Sequence, residues 1–283
     1  MTIETSPQTQ SPTQVTPDWE PPMPPTDLIF DDGEPLESNR HRIAMNALIE
    51  SLHQYWAERN DYFAGGNMFI YYSSAQARNR DFKGPDFFVV LNIDGTTTRQ
   101  GWVVWEEGGR YPDVIIELTS PSTAEVDIGR KKDIYEQTFR TPDYFIFNPF
   151  DPNSLQGWHL ENTQYQQLLP NQRGWLWCER LELWLGSWEG TILREQAVWL
   201  RFYDPQENLV LLPKEVAEQE RQRAKEERQR AEQERQRAEQ ERQRAEQEQQ
   251  RAEQEQQRAE QERQRAERLA AKLRELGVDP DSA

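Results

Sequence analysis

The sequence predicts an α/β domain followed by one long helix, and three observations predict it. Runs rich in β-branched and aromatic residues, FFVVL from Phe87 and VII from Val114, are bounded by Gly or Pro and read as buried strands. Between such runs lie stretches with apolar residues at helical spacing. From Lys214 to Leu276 the chain repeats a charged seven-residue unit of low complexity.

Residues 1–39 are rich in Pro, Thr and Ser, carry eight acidic side chains and no Lys or Arg, and are expected to be mostly disordered. Residues 40–213 hold nearly all the aromatics and are long enough to bury a sizeable core. Within them, Ile43, Leu48, Ile49, Leu52, Tyr55 and Trp56 predict a helix over His41 to Arg59. NMFIYY from Asn67 predicts a strand. The run opened by Asp86 and the run closed by Glu117 are the next two core strands, with WVVWEE from Trp102 as an edge strand between them. Asp127 to Thr138 reads as a helix and DYFIFNP from Asp143 as a further strand. Cys178, the single cysteine, stands in the strand-like GWLWCERLELWL and reads as a small core residue.

In the tail, Ala recurs every seventh residue from Ala217 to Ala266, and the positions three later are Glu until Leu269 and Leu276. Two readings stay open for residues 214–276. Glu and Arg at i,i+3 and i,i+4 hold a lone helix, or the Ala seam, with Ala266, Leu269, Leu273 and Leu276 as a terminal a/d stripe, pairs chains as a coiled coil and makes a homo-oligomer. Residues 277–283 are expected to be disordered.

The chemistry rests on Asp86 and Glu117. A carboxylate at the end of a buried strand is desolvated unless a cation or hydrogen-bond donors face it. Mg²⁺, with Mn²⁺ as a substitute, is the natural cation, since it takes one or two carboxylates and fills its shell with waters and phosphate oxygens. Lys131, in DIGRKKDIYEQ, supplies an ammonium to hold an attacking water or stabilise a transition-state anion. Two carboxylates and an ammonium are the parts of a metal-dependent nuclease. Pro112-Asp113 offers a rival pair, because Asp113 and Glu117 share one face of a strand. Taken alone, Asp and Glu at strand ends also read as ordinary turn residues, and Lys131 beside Arg130 and Lys132 as a solvated helix face.

The order Pro85-Asp86, Glu117, lysine resembles the PD-(D/E)XK nuclease superfamily, whose restriction-endonuclease-like core is a mixed sheet flanked by helices. Within it, IIELTSPST, then Asp127, Lys131 and Tyr135 in D-x-x-x-K-x-x-x-Y, then TPDYFIFNP, resemble the Uma-type restriction endonuclease family of bacteria over roughly residues 40 to 212. The resemblance implies a phosphodiester hydrolase acting on nucleic acid, expected to be DNA, with Asp86 and Glu117 holding Mg²⁺ and Lys131 assisting the attack of water. It departs from the superfamily pattern at Thr119, where the strand lysine would stand, and implies that Lys131 swings into that space. Lys132 is the adjacent alternative, and Glu50 a candidate third carboxylate. A second departure is Asn148, where the family more often has Asp.

Charge and composition bound the partners. The net charge is −17; residues 1–39 contribute −8, residues 40–213 carry 16 basic and 23 acidic side chains, and the remainder carries 17 and 19. An acidic head gains little from phosphate counterion release, although Arg78, Arg80, Lys83, Arg130, Lys131 and Lys132 offer a local basic strip. No apolar stretch approaches the ~20 residues of a membrane helix and no signal-type amino terminus is present, so a cytoplasmic protein is expected. His41, His53 and His159 form no His-metal pattern; His41 is read as a helix-start residue. A nuclease and a catalytically weak nuclease-like assembly module are the competing functions.

Overall fold

Three central strands, FFVVL from Phe87, VIIEL from Val114 and DYFIF from Asp143, are buried at every position, as strands are only when both faces of their sheet are covered. The computed structural model describes residues 24–30, 38–79, 84–119 and 127–275. The chain divides into two units, Met1–Pro213 and Lys214–Ala283.

In the first unit the described elements begin with α1 (Asn39–Tyr55), β1 (Tyr62–Gly65), β2 (Ile70–Tyr71), α2 (Ser74–Asn79), β3 (Phe87–Leu91), β4 (Trp102–Val103) and β5 (Val114–Leu118). A helix of three short segments follows, π-wound over Asp127–Lys131, α over Lys132–Ile134 and π-wound again over Tyr135–Phe139; together they are α3. Then come β6 (Asp143–Phe147), β7 (Gln156–Glu161), β8 (Gln164–Gln167), β9 (Leu176–Cys178), β10 (Leu183–Ile192) and β11 (Glu195–Tyr203).

The main sheet has the order β1-β3-β5-β6-β7-β8. Only β5 and β6 run parallel, and α3 makes the crossover between them, as a parallel pair demands. Alternation along the strands sorts side chains into two cores. Phe87, Val89, Val114, Ile116, Leu118, Phe145 and Phe147 pack on one face with α1 and with strands β9 to β11. Phe88, Val90, Ile115, Tyr144 and Ile146 pack on the other face with Tyr135 and Phe139 of α3 and with Ile70 and Trp102.

The structure corrects the sequence reading in four places. The first strand of the sheet is Tyr62–Gly65, a run whose Ala and two following glycines give little strand signal. Trp102–Val103 is not an edge strand of the main sheet; it pairs in parallel with Ile70–Tyr71 in a separate two-stranded ladder, leaving β3 and β5 as direct neighbours. Tyr55, expected on the apolar face of α1, is exposed. Residues 24–30, part of the stretch expected to be disordered, have a bed on the domain: the Tyr71 hydroxyl donates to the Ile29 carbonyl, and the Phe30 ring stands edge-on to Tyr71 with centroids 6.0 Å apart. Residues 1–23 and 31–37 lie outside the described residues, as does the 277–283 tail.

At the N-terminal ends of β5 and β6, a partly buried and a fully buried carboxylate tie the sheets together. Asp143, fully buried, accepts hydrogen bonds from His159 Nδ1 at 2.7 Å and from the Arg180 amide at 2.7 Å. Asp113 accepts from the Arg180 guanidinium at 2.7 Å. Cys178 is fully buried, and burial followed by the Asp143 carboxylate pushes its thiol well above the ordinary range, so it stays protonated and is no nucleophile.

The three-stranded sheet is β11-β10-β9. Trp175 lies flat across its middle, stacked on Tyr203 with ring centroids 3.8 Å apart. A Cβ on Gly186 would meet the Trp175 ring at 2.2 Å, so only glycine lets the indole settle there. Gly186→Ala is therefore expected to lower stability by about 1–3 kcal/mol, the usual cost of overpacking. An unchanged urea-unfolding midpoint would remove the packing argument.

The second unit is α4 (Pro213–Glu275), 63 residues with none buried. Its charges find partners within the helix, as in Arg242 with Glu246 and Arg263 with Glu267, both at 3.2 Å. Among the described residues no helix is long and apolar enough to cross a membrane.

Candidate functional site

The site forms at the C-terminal end of β5 because strand alternation sends Glu117 to the face covered by α3. Ile115, two residues earlier, packs in that same core, and Glu117 is fully buried with it. A charge there must be compensated by neighbours, and α3 delivers two of them. The Lys131 ammonium stands 3.1 Å from Glu117 Oε2. The Tyr135 hydroxyl donates to Glu117 Oε1 at 2.7 Å. Both carboxylate oxygens are thus engaged from one helix, by residues four apart.

Asp86 comes from the neighbouring strand. β3 and β5 pair Phe87 with Ile116 and Phe88 with Ile115, so continuing the register by one residue places Asp86 opposite Glu117. Directly opposed residues on one face have Cβ atoms about 4.5–5.5 Å apart. Because β3 begins only at Phe87, opposite Ile116, the Leu118 amide lies beyond the ladder, and Asp86 Oδ2 accepts from it at 2.8 Å. The loop after β1 closes in from the side, with the Asn67 amide donating to the Pro85 carbonyl at 2.9 Å. A Cβ on Gly66 would lie 2.4 Å from the Asp86 carbonyl oxygen, so this approach needs a glycine.

The structure brings Asp86, Glu117 and Lys131 together and separates the alternatives from them. Lys132 points elsewhere, its Nζ lying 4.4 Å from the centre of the Trp158 ring. Glu50 is on the exposed side of α1. Asp113 shares the face of Glu117, but four strand residues are about 13 Å, and its carboxylate is taken by the Leu91 amide and Arg180. Asn148 forms a turn, its Oδ1 accepting from the Phe150 amide. Ser38 caps α1 by accepting from the His41 amide, and its hydroxyl is 2.8 Å from His41 Nδ1. Thr119 is buried, its amide donating to the Phe147 carbonyl. Of the basic strip, Arg78 and Arg130 are exposed, while Arg80 and Lys83 lie outside the described residues. Sequence reasoning used Tyr135 only as a motif position; its signal for a site role was the four-residue spacing from Lys131.

A family model described as "Putative restriction endonuclease" (Uma2) matches residues 18–188, more than half of the 283-residue chain. The chain belongs to the Uma2 family. Its mixed six-stranded sheet with flanking helices is the α/β architecture expected from the sequence. A crystal structure of "a putative nuclease belonging to DUF820" from Anabaena variabilis ATCC 29413 aligns with 53% of this chain and 84% of its own, at 14% identity and a TM-score of 0.35. No curated protein matches the chain.

Removing the ammonium from this Uma2 site leaves one oxygen of a buried carboxylate without its charge partner. Lys131→Ala is expected to cost about 1–3 kcal/mol of stability, and clearly less when made on a Glu117→Gln background. Equal losses on both backgrounds, read from urea unfolding, would mean that Lys131 acts on the fold by another route.

Proposed function

We propose that the protein is a Mg²⁺-dependent endonuclease that hydrolyses phosphodiester bonds in DNA. The observation that supports this reading best is the assembly of Asp86, Glu117 and Lys131 at one end of β3 and β5 in a Uma2 chain. The donor set suits a hard divalent ion. Two carboxylates and one ammonium leave a net charge of −1, and among the described residues no third His, Cys, Asp or Glu joins them. Mg²⁺ accepts two carboxylates and completes its octahedron with water and substrate oxygens. Asp86 and Glu117 would hold the ion, with Mn²⁺ as a substitute; when bound it supplies Lewis acidity and a water of lowered pKa.

The chain's own residues do the rest. The Leu118 amide fixes the Asp86 carboxylate, and α3 fixes that of Glu117, so both stay in place before substrate arrives. The Lys131 side chain is 25% exposed; it reaches solvent from the buried carboxylate and presents N–H donors to an incoming water or to a phosphoryl oxygen gaining charge.

The test is cleavage of plasmid and single-stranded DNA with Mg²⁺ or Mn²⁺, beside Asp86→Ala, Glu117→Ala and Lys131→Ala. Metal-dependent nicking is expected from the unaltered protein, background rates from either carboxylate variant, and a loss of about 10²–10³-fold for Lys131→Ala. The acidity of residues 40–213, 16 basic against 23 acidic side chains, favours a second reading, a nuclease-like binding module without turnover. That reading gains if no variant differs from the unaltered protein in cleavage and metal leaves the melting temperature unmoved.

For the tail we infer self-association at its leucine end. Leu269 and Leu273 are 53% and 37% exposed on a helix that buries nothing of its own, and they stand a/d-spaced beyond an alanine seam. Deleting residues after Pro213 should leave a folded domain of lower sedimenting mass than the full chain's assembly. A full-length protein that already sediments as a monomer would dismiss the pairing.

A further inference from the structure

The hydroxyl of Tyr135 is the group at this site whose role the reaction above leaves unassigned. The residue is fully buried, so its ring belongs to the core: its centroid is 5.3 Å from those of both Phe139 and Tyr144. A phenylalanine would satisfy that packing. Its hydroxyl instead spends itself on Glu117 Oε1 at 2.7 Å, a short bond of the kind made to an ionised acceptor. Lys131 takes the other oxygen. The two donors differ in kind, since the lysine can swing out to solvent on a flexible stem while the tyrosine is fixed by its ring.

We propose that Tyr135 is a positioning residue that holds the Glu117 carboxylate in its cation-binding orientation, so that Lys131 is released to serve the substrate when the cation arrives. The inference rests on the nuclease reading above. A buried donor at Oε1, fixed by its own packed ring, restricts the terminal torsion of the carboxylate. The arrangement follows the general rule that partners behind a ligand fix it and that losing them weakens metal binding by about 10–100-fold. The winding of α3 serves the same end: π-wound turns are frequent at functional sites, and here they carry Lys131 in one segment and Tyr135 in the next such segment.

The test uses the full chain, with Mn²⁺ as the probe. Mn²⁺ binding is measured by electron paramagnetic resonance or titration calorimetry, and DNA cleavage is measured beside it, for the unaltered protein, Tyr135→Phe, Glu117→Gln and the double variant. Tyr135→Phe is expected to fold, to bind Mn²⁺ about 10–100-fold more weakly and to lose kcat with little change in KM for DNA. On the Glu117→Gln background the same change should add nothing. A folded Tyr135→Phe with undiminished Mn²⁺ affinity and kcat overturns the proposal alone. Equal effects on both backgrounds also overturn it, since a tyrosine acting through Glu117 cannot be additive with it. An unaltered protein that neither binds Mn²⁺ nor cleaves overturns the nuclease reading and this inference with it. Should Tyr135→Phe fail to fold, the double variant decides: with a neutral amide at 117 it regains the fold if the hydroxyl serves the carboxylate, and if it stays unfolded the tyrosine is structural.

Discussion

One buried negative charge organises the first unit of this molecule. Glu117 sits on a central strand, on a covered face, where an ionised carboxylate without partners would be intolerable. Its two oxygens are met by an ammonium and a phenol from the helix that crosses between β5 and β6. That helix has to lie close over the end of β5 for both to reach, and its aromatic residues Tyr135 and Phe139 pack it there. The demand of one carboxylate and the packing of one core face therefore fix the same element.

The sheet itself prepares the second carboxylate. The ladder between β3 and β5 ends at Phe87 opposite Ile116, two residues short of the end of β5, and the Leu118 amide beyond it is captured by Asp86. A strand end is ordinarily a place where backbone groups turn to water; here it becomes the point at which a side chain is locked opposite Glu117. Two like charges facing each other across a ladder repel. A lysine between solvent and the buried member lessens this repulsion, and a divalent cation would reverse it. The strain of the pair and its proposed affinity for metal are then one property seen with and without the ion.

The parts of the fold legible in the sequence were those where local pattern and burial agree. FFVVL and VII announce strands covered on both faces, and carboxylates at their ends stand out against that background. The tail's repeat makes its helix plain. Tyr62–Gly65 was missed because Ala64 and Gly65 carry little strand preference, and its pairing with β3 is a tertiary decision. Trp102–Val103 reads as a strand, but no local rule tells which neighbour it will choose. The four-residue spacing to Tyr135 favoured Lys131 over Lys132, since neighbours on a helix diverge by about 100°. In the structure Lys132 goes to the ring of Trp158, a residue distant in sequence. Glu50 looked eligible only because helix faces cannot be assigned to a site before the sheet is known.

The placement of the lysine on α3 and not on β5 has a physical logic. On β5, the position two residues after Glu117 is Thr119, which is buried and used by its backbone to extend the pairing toward Phe147. A lysine there would leave from the same strand as the carboxylate. Supplied from α3, the ammonium approaches Glu117 over the face of the sheet and keeps its stem partly in solvent. It is then anchored by a helix whose own position depends on the aromatic core, so the charge is placed by packing rather than by strand register. In an acidic domain that gains little from long-range attraction to a polyanion, the proposed affinity for phosphate would have to be concentrated at the site. A cation held by Asp86 and Glu117, as proposed, with the Lys131 ammonium beside it, would concentrate it there.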